Sequence, residues 1–276
     1  MTRRNWIAGL MGLFATGRTA AQVSPAVERE PSMDQKMQAV RAKLRAAFPY
    51  PVTTISGAQA LAAWERIRAG GKGWPVIVGD DEGLDAICDQ FSIDTPSILS
   101  PGAADLPVQP VERIVATSRT IAMPGDLAKW QGYDSSLVPA NGPWPARTEQ
   151  VEMTAATDLL TGQPYGRVHI VTLPTRTSWE VPAYLRWGGW NACPPADYQC
   201  AMLRRWQERY GAELVGIDRD TIELRVKRRP KDRAEALALA HECYAYCPDT
   251  VDQGVDTIEA LAATLMASDW WFFWWD

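Results

Sequence analysis

The residues best suited to chemistry are five cysteines, Cys88, Cys193, Cys200, Cys243 and Cys247, and two histidines, His169 and His241. Thiolates and imidazoles ligate zinc and serve as nucleophile and base in hydrolases. The spacing supports neither role. His241, Cys243 and Cys247 fall at i, i+2 and i+6, no Cys-x-x-Cys pair is present, and no metal site is expected. No Gly-x-Ser-x-Gly elbow accompanies either histidine and no Gly-rich phosphate loop is present, so no catalytic set and no cofactor is assigned. His241 lies four residues after Leu237 and three before Tyr244, which reads as a core histidine on an apolar helix face. His169 alternates with Val168 and Ile170 in a strand and projects to the opposite face from them. In an oxidising compartment Cys193, Cys200, Cys243 and Cys247 suit two disulfides, with Cys88 left as a buried thiol.

Two acidic groups stand out. Asp80, Asp81 and Glu82 suit either a cation or, as we read them, the N-terminus of the helix that follows. Asp249 and Asp252 flank "CPDTVDQG", a polar loop that can meet a ligand or cap a helix. The aromatic content is the larger signal: 13 Trp, with Trp270 to Trp275 an unbroken aromatic run between Asp269 and Asp276. Six residues are too short to span a bilayer, so no stable membrane anchor is expected. As a strand, Trp270, Phe272 and Trp274 point one way and Trp271, Phe273 and Trp275 the other, and both faces need cover. The net charge of −5 argues against nucleic acid as a partner.

These groups need elements to hold them. Ser32 and Gln35 form a capping box for a helix with the stripe Met37, Val40, Leu44 and Phe48. Ser56 and Gln59 repeat the pattern before Leu61, Trp64 and Ile67. Pro75 to Val78 reads as a buried strand leading into a helix. Residues 92–150 are Pro-rich, with "IVATSRTIAM" their best strand. Downstream, "GRVHIVTLP" and "VPAYLRW" read as strands and "PPADYQCAMLRRWQERYG" as a helix. "AELVGI" and "TIELRV" form a hairpin through "DRD", with Ile222, Leu224 and Val226 facing inward. Two further helices open at Asp232 and Asp256, and the aromatic strand follows. The fold class is α+β: a mostly antiparallel sheet packed with helices in a C-terminal domain, and a smaller α/β N-terminal region.

"MTRRNWIAGLMGLFATGRTAAQ" has a twin-arginine-like start, a short apolar run and a small-residue cleavage site. The expected division is a signal peptide over 1–21, a linker and helix over 22–48, an N-terminal α/β region over 49–150 and a C-terminal domain over 151–276. The expected location is periplasmic or secreted, with a cytoplasmic location as the alternative.

"LRWGGWNACP", "LRRWQERYGAELVGIDRDTIELRV", "ALALAHECYAYCPDTVDQG" and "WWFFWWD" resemble the bacterial family known as domain of unknown function 4253, over roughly residues 168–276. The motif residues carried over are Asn191, Cys193, Pro194, Trp206, Gly211, Cys247, Pro248, Asp249, Trp275 and Asp276. "GWPVIVGDDE" is similar to a segment that precedes this domain in longer members. Cys200 and Cys243 depart from the pattern, as does the export signal, which pairs Cys200 with Cys243 and Cys193 with Cys247 as disulfide candidates. The resemblance implies a domain boundary and no activity.

The expected function is non-catalytic binding of a protein or small-molecule ligand in an aromatic groove. Its candidate residues are Trp187, Trp190, Asn191, Asp249, Trp271, Trp275 and Asp276. The alternatives are a hydrolase using Asp249, Asp276 or His241 as acid–base groups, and a carbohydrate-binding module.

Overall fold

The structure is a computed structural model that describes residues 32–148 and 150–275. The expected signal peptide, the linker up to residue 31 and Asp276 lie outside the described residues. No described helix is long and apolar enough to cross a membrane.

The chain begins with α1 (Met33–Ala47), β1 (Val52–Ile55), α2 (Ala60–Ala69), β2 (Trp74–Ile77), α3 (Asp81–Ser92) and α4 (Val111–Thr120). A small hairpin of β3 (Thr157–Asp158) and β4 (Gln163–Pro164) precedes β5 (Val168–Leu173). Then come α5 (Val181–Leu185), α6 (Ala196–Tyr210), β6 (Glu213–Ile217), β7 (Thr221–Arg225), α7 (Arg233–Tyr246), α8 (Ile258–Ala267) and β8 (Trp270–Trp274). Six strands form one sheet in the order β1-β5-β2-β6-β7-β8. Every neighbouring pair is antiparallel except β2 and β6, which run parallel with Ile77 opposite Gly216. The fold is therefore α+β with a mostly antiparallel sheet. β2 is buried along its whole length, as a central strand covered on both faces must be. The sheet takes strands from both sides of residue 150, and β2 separates β5 from β6.

Local chemistry explains most element ends. Ser32 and Gln35 form the reciprocal capping box of α1. Asp232 caps α7 through the Glu235 N–H at 2.9 Å. Gly211 ends α6 at φ +64°, the left-handed turn that glycine accepts without strain. Three expectations are corrected. "VERIVATSRT" is the helix α4, because Ile114 and Ser118 bury one helical face four residues apart. "VPAYL" is the short helix α5, with Pro182 at its start and Arg186 as a left-handed cap. Thr257, not Asp256, caps α8 through the Ala260 N–H at 3.2 Å.

The aromatic strand β8 is covered on both faces. Trp271, Phe273 and Trp275 turn toward α6 and α7, where Trp206 stacks on Phe273 at 5.0 Å and Tyr246 meets both Phe273 and Trp275 edge-on. The opposite face carries Glu223 across from Phe272. Glu223 alternates with the inward-facing Ile222 and Leu224 yet is 3% exposed, because Thr154 folds over it and donates its N–H at 2.9 Å. Ser268 anchors the same covering segment through the Val151 carbonyl at 2.7 Å. Residues 151–276 expressed alone are expected to lack a cooperative urea transition, because β5 and β6 have no β2 between them. Adding residues 32–150 in trans restores the transition. Deleting residues 270–276 from the full chain abolishes it, because α6 and α7 lose the face they pack on.

Candidate functional site

The loop after α5 organises one end of the sheet. Gly188 and Gly189 adopt φ +104° and +90°, and Asn191 adopts φ 47°. A Cβ on Gly188 would stand 2.2 Å from the Pro194 carbonyl, so only glycine fits there. Trp187 donates its indole N–H to the Asp218 carbonyl at 2.7 Å, and its ring meets Trp190 at 4.8 Å and Trp275 at 5.5 Å. Trp275 in turn donates its backbone N–H to Asp220 at 3.1 Å. These bonds tie the loop, the β6–β7 turn and the end of β8 together.

This packing narrows the expected groove. Trp187, Trp271 and Trp275 are 0%, 2% and 2% exposed, so their faces are closed to a ligand. Trp190 is half-buried and Asn191 exposed. Asp249 is half-buried and accepts a hydrogen bond from the Gln253 side chain at 3.0 Å. His241, read as a core histidine, is exposed on α7.

Two hollows lie beside α3, the first at the carboxyl ends of the parallel strands β2 and β6. The first is a cleft of about 230 Å³ walled by Asp80, Glu82, Tyr165, Asp218, Arg219 and Asp220. Glu82 and Arg219 are shared with the second, a cavity of about 730 Å³ between α1 and α3. Met37, Val40, Leu44, Ile93 and Leu99 supply its apolar lining, and Trp190 also lines it. The stripe that directs α1 inward therefore packs only partly on α3 and leaves a chamber. Ligands commonly enter such sheets at the carboxyl ends of parallel strands.

Asp218 is the most perturbed group in the cleft. Burial pushes its carboxyl up to about 6, and the charges of Asp220 and Asp80 add to the rise. The Arg219 N–H donates to it at 2.6 Å and opposes the shift. A Cβ on Gly79 would lie 3.1 Å from Asp218 Oδ2 and one on Gly83 2.8 Å from Oδ1, so the loop before α3 and the first turn of α3 close directly over this carboxyl. Asp80 caps α3 through the N–H groups of Glu82 and Gly83 at 2.9 and 3.2 Å.

Asp81 has a different role. Arg167 chiefly holds its carboxyl down at about 2, helped by a hydrogen bond with His169. His169 Nε2 lies 3.0 Å from Asp81 Oδ1, and Nδ1 lies 3.0 Å from Thr54 Oγ1. The chain Thr54–His169–Asp81 has the residue types of a hydrolase relay. Arg167 and Arg45 occupy its carboxylate, and none of the three lines either hollow, so it works as a clamp between β1, β5 and α3.

The cysteines correct another expectation. All five are free and buried, so neither Cys193–Cys247 nor Cys200–Cys243 is a disulfide. Each thiol fills a small interior space. Gln199 donates to Cys193 Sγ at 3.3 Å, Cys247 donates to the Trp274 carbonyl at 2.8 Å, and burial pushes all five thiols up. No group of three or more His, Cys, Asp or Glu among the described residues is placed to hold a metal ion.

The cleft and chamber thus lie on an α+β scaffold of mixed origin. Residues 169–276 match the family model described as Domain of unknown function (DUF4253), which bears out the resemblance of the C-terminal part. No curated protein and no solved structure matches the chain. The matched stretch contributes Trp190 and Asp218–Asp220, while α1, β2 and α3 come from upstream of it.

Sequence reasoning passed over Asp218, which it treated as a turn residue in "DRD". The available signal was a carboxylate directly after a buried apolar strand. The raised pKa has a definite sign: folded Asp218 keeps a proton that the unfolded chain releases, so its contribution falls as pH rises from about 4 to about 6. Asp218→Asn should therefore gain on the order of 2 kcal/mol above pH 6 and almost nothing near pH 4 in urea titrations.

Proposed function

We propose that this protein is a non-catalytic binder of a small ligand, held with an apolar body in the chamber between α1 and α3 and a polar head toward Asp218. The observation that carries this reading is the chamber: at about 730 Å³ it has the size of a small-molecule site. Its walls are mainly apolar, and Trp190 offers it a half-exposed aromatic ring. Sugar stacking fits less well, because Trp187, Trp271 and Trp275 have no exposed face. The twin-arginine-like start supports placing this binder outside the cytoplasm.

One observation favours acid–base catalysis as a second reading. Burial raises the Asp218 carboxyl to about 6 beside Asp80 and Asp220, which is how a general acid is often arranged. That reading moves the hydrolytic role from Asp249, Asp276 and His241 to the β6–β7 turn.

Binding is tested with the neutral fluorescent dye Nile red. A saturable, one-to-one fluorescence increase is expected with the full chain. Ala86 lines the chamber, and Ala86→Trp should fill it and abolish the increase while leaving the urea midpoint nearly unchanged. Undiminished dye binding by a folded Ala86→Trp variant would place the ligand elsewhere.

A further inference from the structure

A separate pocket of about 220 Å³ lies between the chain around residues 130–139 and α7. Trp130, Tyr133, Tyr244 and Tyr246 are its aromatic lining residues, and Asp134, Leu137, Pro139 and His241 complete much of the wall. Ala192 and Pro248 place it beside the two motif loops of the matched family stretch. The rings are held from different directions. A short turn joins Trp130 and Tyr133, with the Tyr133 N–H donating to the Trp130 carbonyl at 3.1 Å. A Cβ on Gly132 would come within 2.3 Å of the Trp130 ring, so glycine lets the indole fold over the turn. Tyr244 is fixed from α7 by donating its hydroxyl to Asp252 at 3.2 Å.

The charge of this pocket is one-sided. No Lys or Arg is among its lining residues, and Asp134 is the carboxylate that lines it. Hydrogen bonds from Ser136 keep the Asp134 carboxyl below the usual range and so ionised. Tyr244 is pushed up to about 12 by burial and by the charges of Asp252 and Asp134, so it remains a neutral phenol. Elsewhere the protein covers aromatic faces with its own guanidinium groups: Arg68 over Trp64 and Trp74, Arg119 over Trp179, Arg186 over Phe91, Arg233 over Trp144. Among the described residues no such contact covers Trp130, Tyr133 or Tyr244.

We infer that this pocket is an aromatic cage for a methylated ammonium group. Ring faces attract a cation through their quadrupole, and a quaternary nitrogen carries its charge on methyl groups that enter an apolar box at little desolvation cost. A bare ammonium is strongly hydrated and gains less. The group can belong to a free choline-type molecule or to a trimethylated lysine side chain. The site is independent of the chamber between α1 and α3.

Isothermal titration calorimetry with the full chain tests this, using tetramethylammonium, choline, a trimethyllysine peptide and the neutral isostere of choline with carbon in place of nitrogen. Saturable binding of the three cations is expected, with the neutral isostere weaker by about tenfold. The tighter of choline and the peptide identifies the source of the group. Tyr133→Ala should weaken choline by about tenfold and Asp134→Asn by roughly threefold, each with an unchanged urea midpoint. Equal affinity for the neutral isostere, or unchanged choline affinity in both folded variants, overturns the inference, as does an absence of saturation by all three cations.

Discussion

The insertion of β2 between β5 and β6 is the constraint on which the rest of this structure depends. It is the single parallel pairing in the sheet, and indole N–H groups reinforce it. Trp74 donates to the Leu214 carbonyl at 2.9 Å, on β6, and Trp64 donates to the Pro75 carbonyl at 2.8 Å, which binds α2 to β2. Arg68 lies over both rings and pairs with Glu213, the first residue of β6. A strand that pairs with neither β1 nor β3, its neighbours among the strands in sequence, is thus fixed by side chains on either side. Its parallel direction also brings Asp80 and Asp218 to the same end of the sheet, where the cleft opens.

Tryptophan in this protein is chiefly structural. Trp206 is the centre of the distal core, in contact with Tyr246, Trp271 and Phe273. Several indoles also donate to backbone carbonyls of distant segments, which satisfies the one polar group of a large apolar ring. The aromatic richness that suggests a binding groove is thus spent mostly on joining elements. Trp130 and Trp190 are partly exposed and line the two hollows proposed as binding sites.

What was legible in the sequence was mostly local. The capping box of α1, the Asp232 cap of α7, the β6–β7 hairpin, the glycine after α6 and the alternation of β8 each depend on residues within a few positions of one another, whereas Ser56, expected to cap α2, makes no such bond. α4 was misread because β-branched residues over a short stretch do not separate strand from helix, and α5 because its five residues are too few to show a period. Packing on α6 decides the matter, through residues far along the chain. The site was legible only in part. Trp190 and Asn191 were named from their motif, but the burial of Trp187, Trp271 and Trp275 follows from tertiary contacts. Asp218 depends on the loop before α3 closing over it, and Trp130 and Tyr133 fall in a Pro-rich stretch without periodicity. The disulfides failed for a related reason. Cysteine count gives candidates, while the interior uses each thiol as a small filler.

The parallel pairing also bears on the order of events during biosynthesis. β2 leaves the ribosome well before β5 or β6 exists, yet its two hydrogen-bonding edges pair with no other described strand in the finished molecule. The edges of β2 therefore stay unpaired until the distal half arrives. The sheet can close only late in translation.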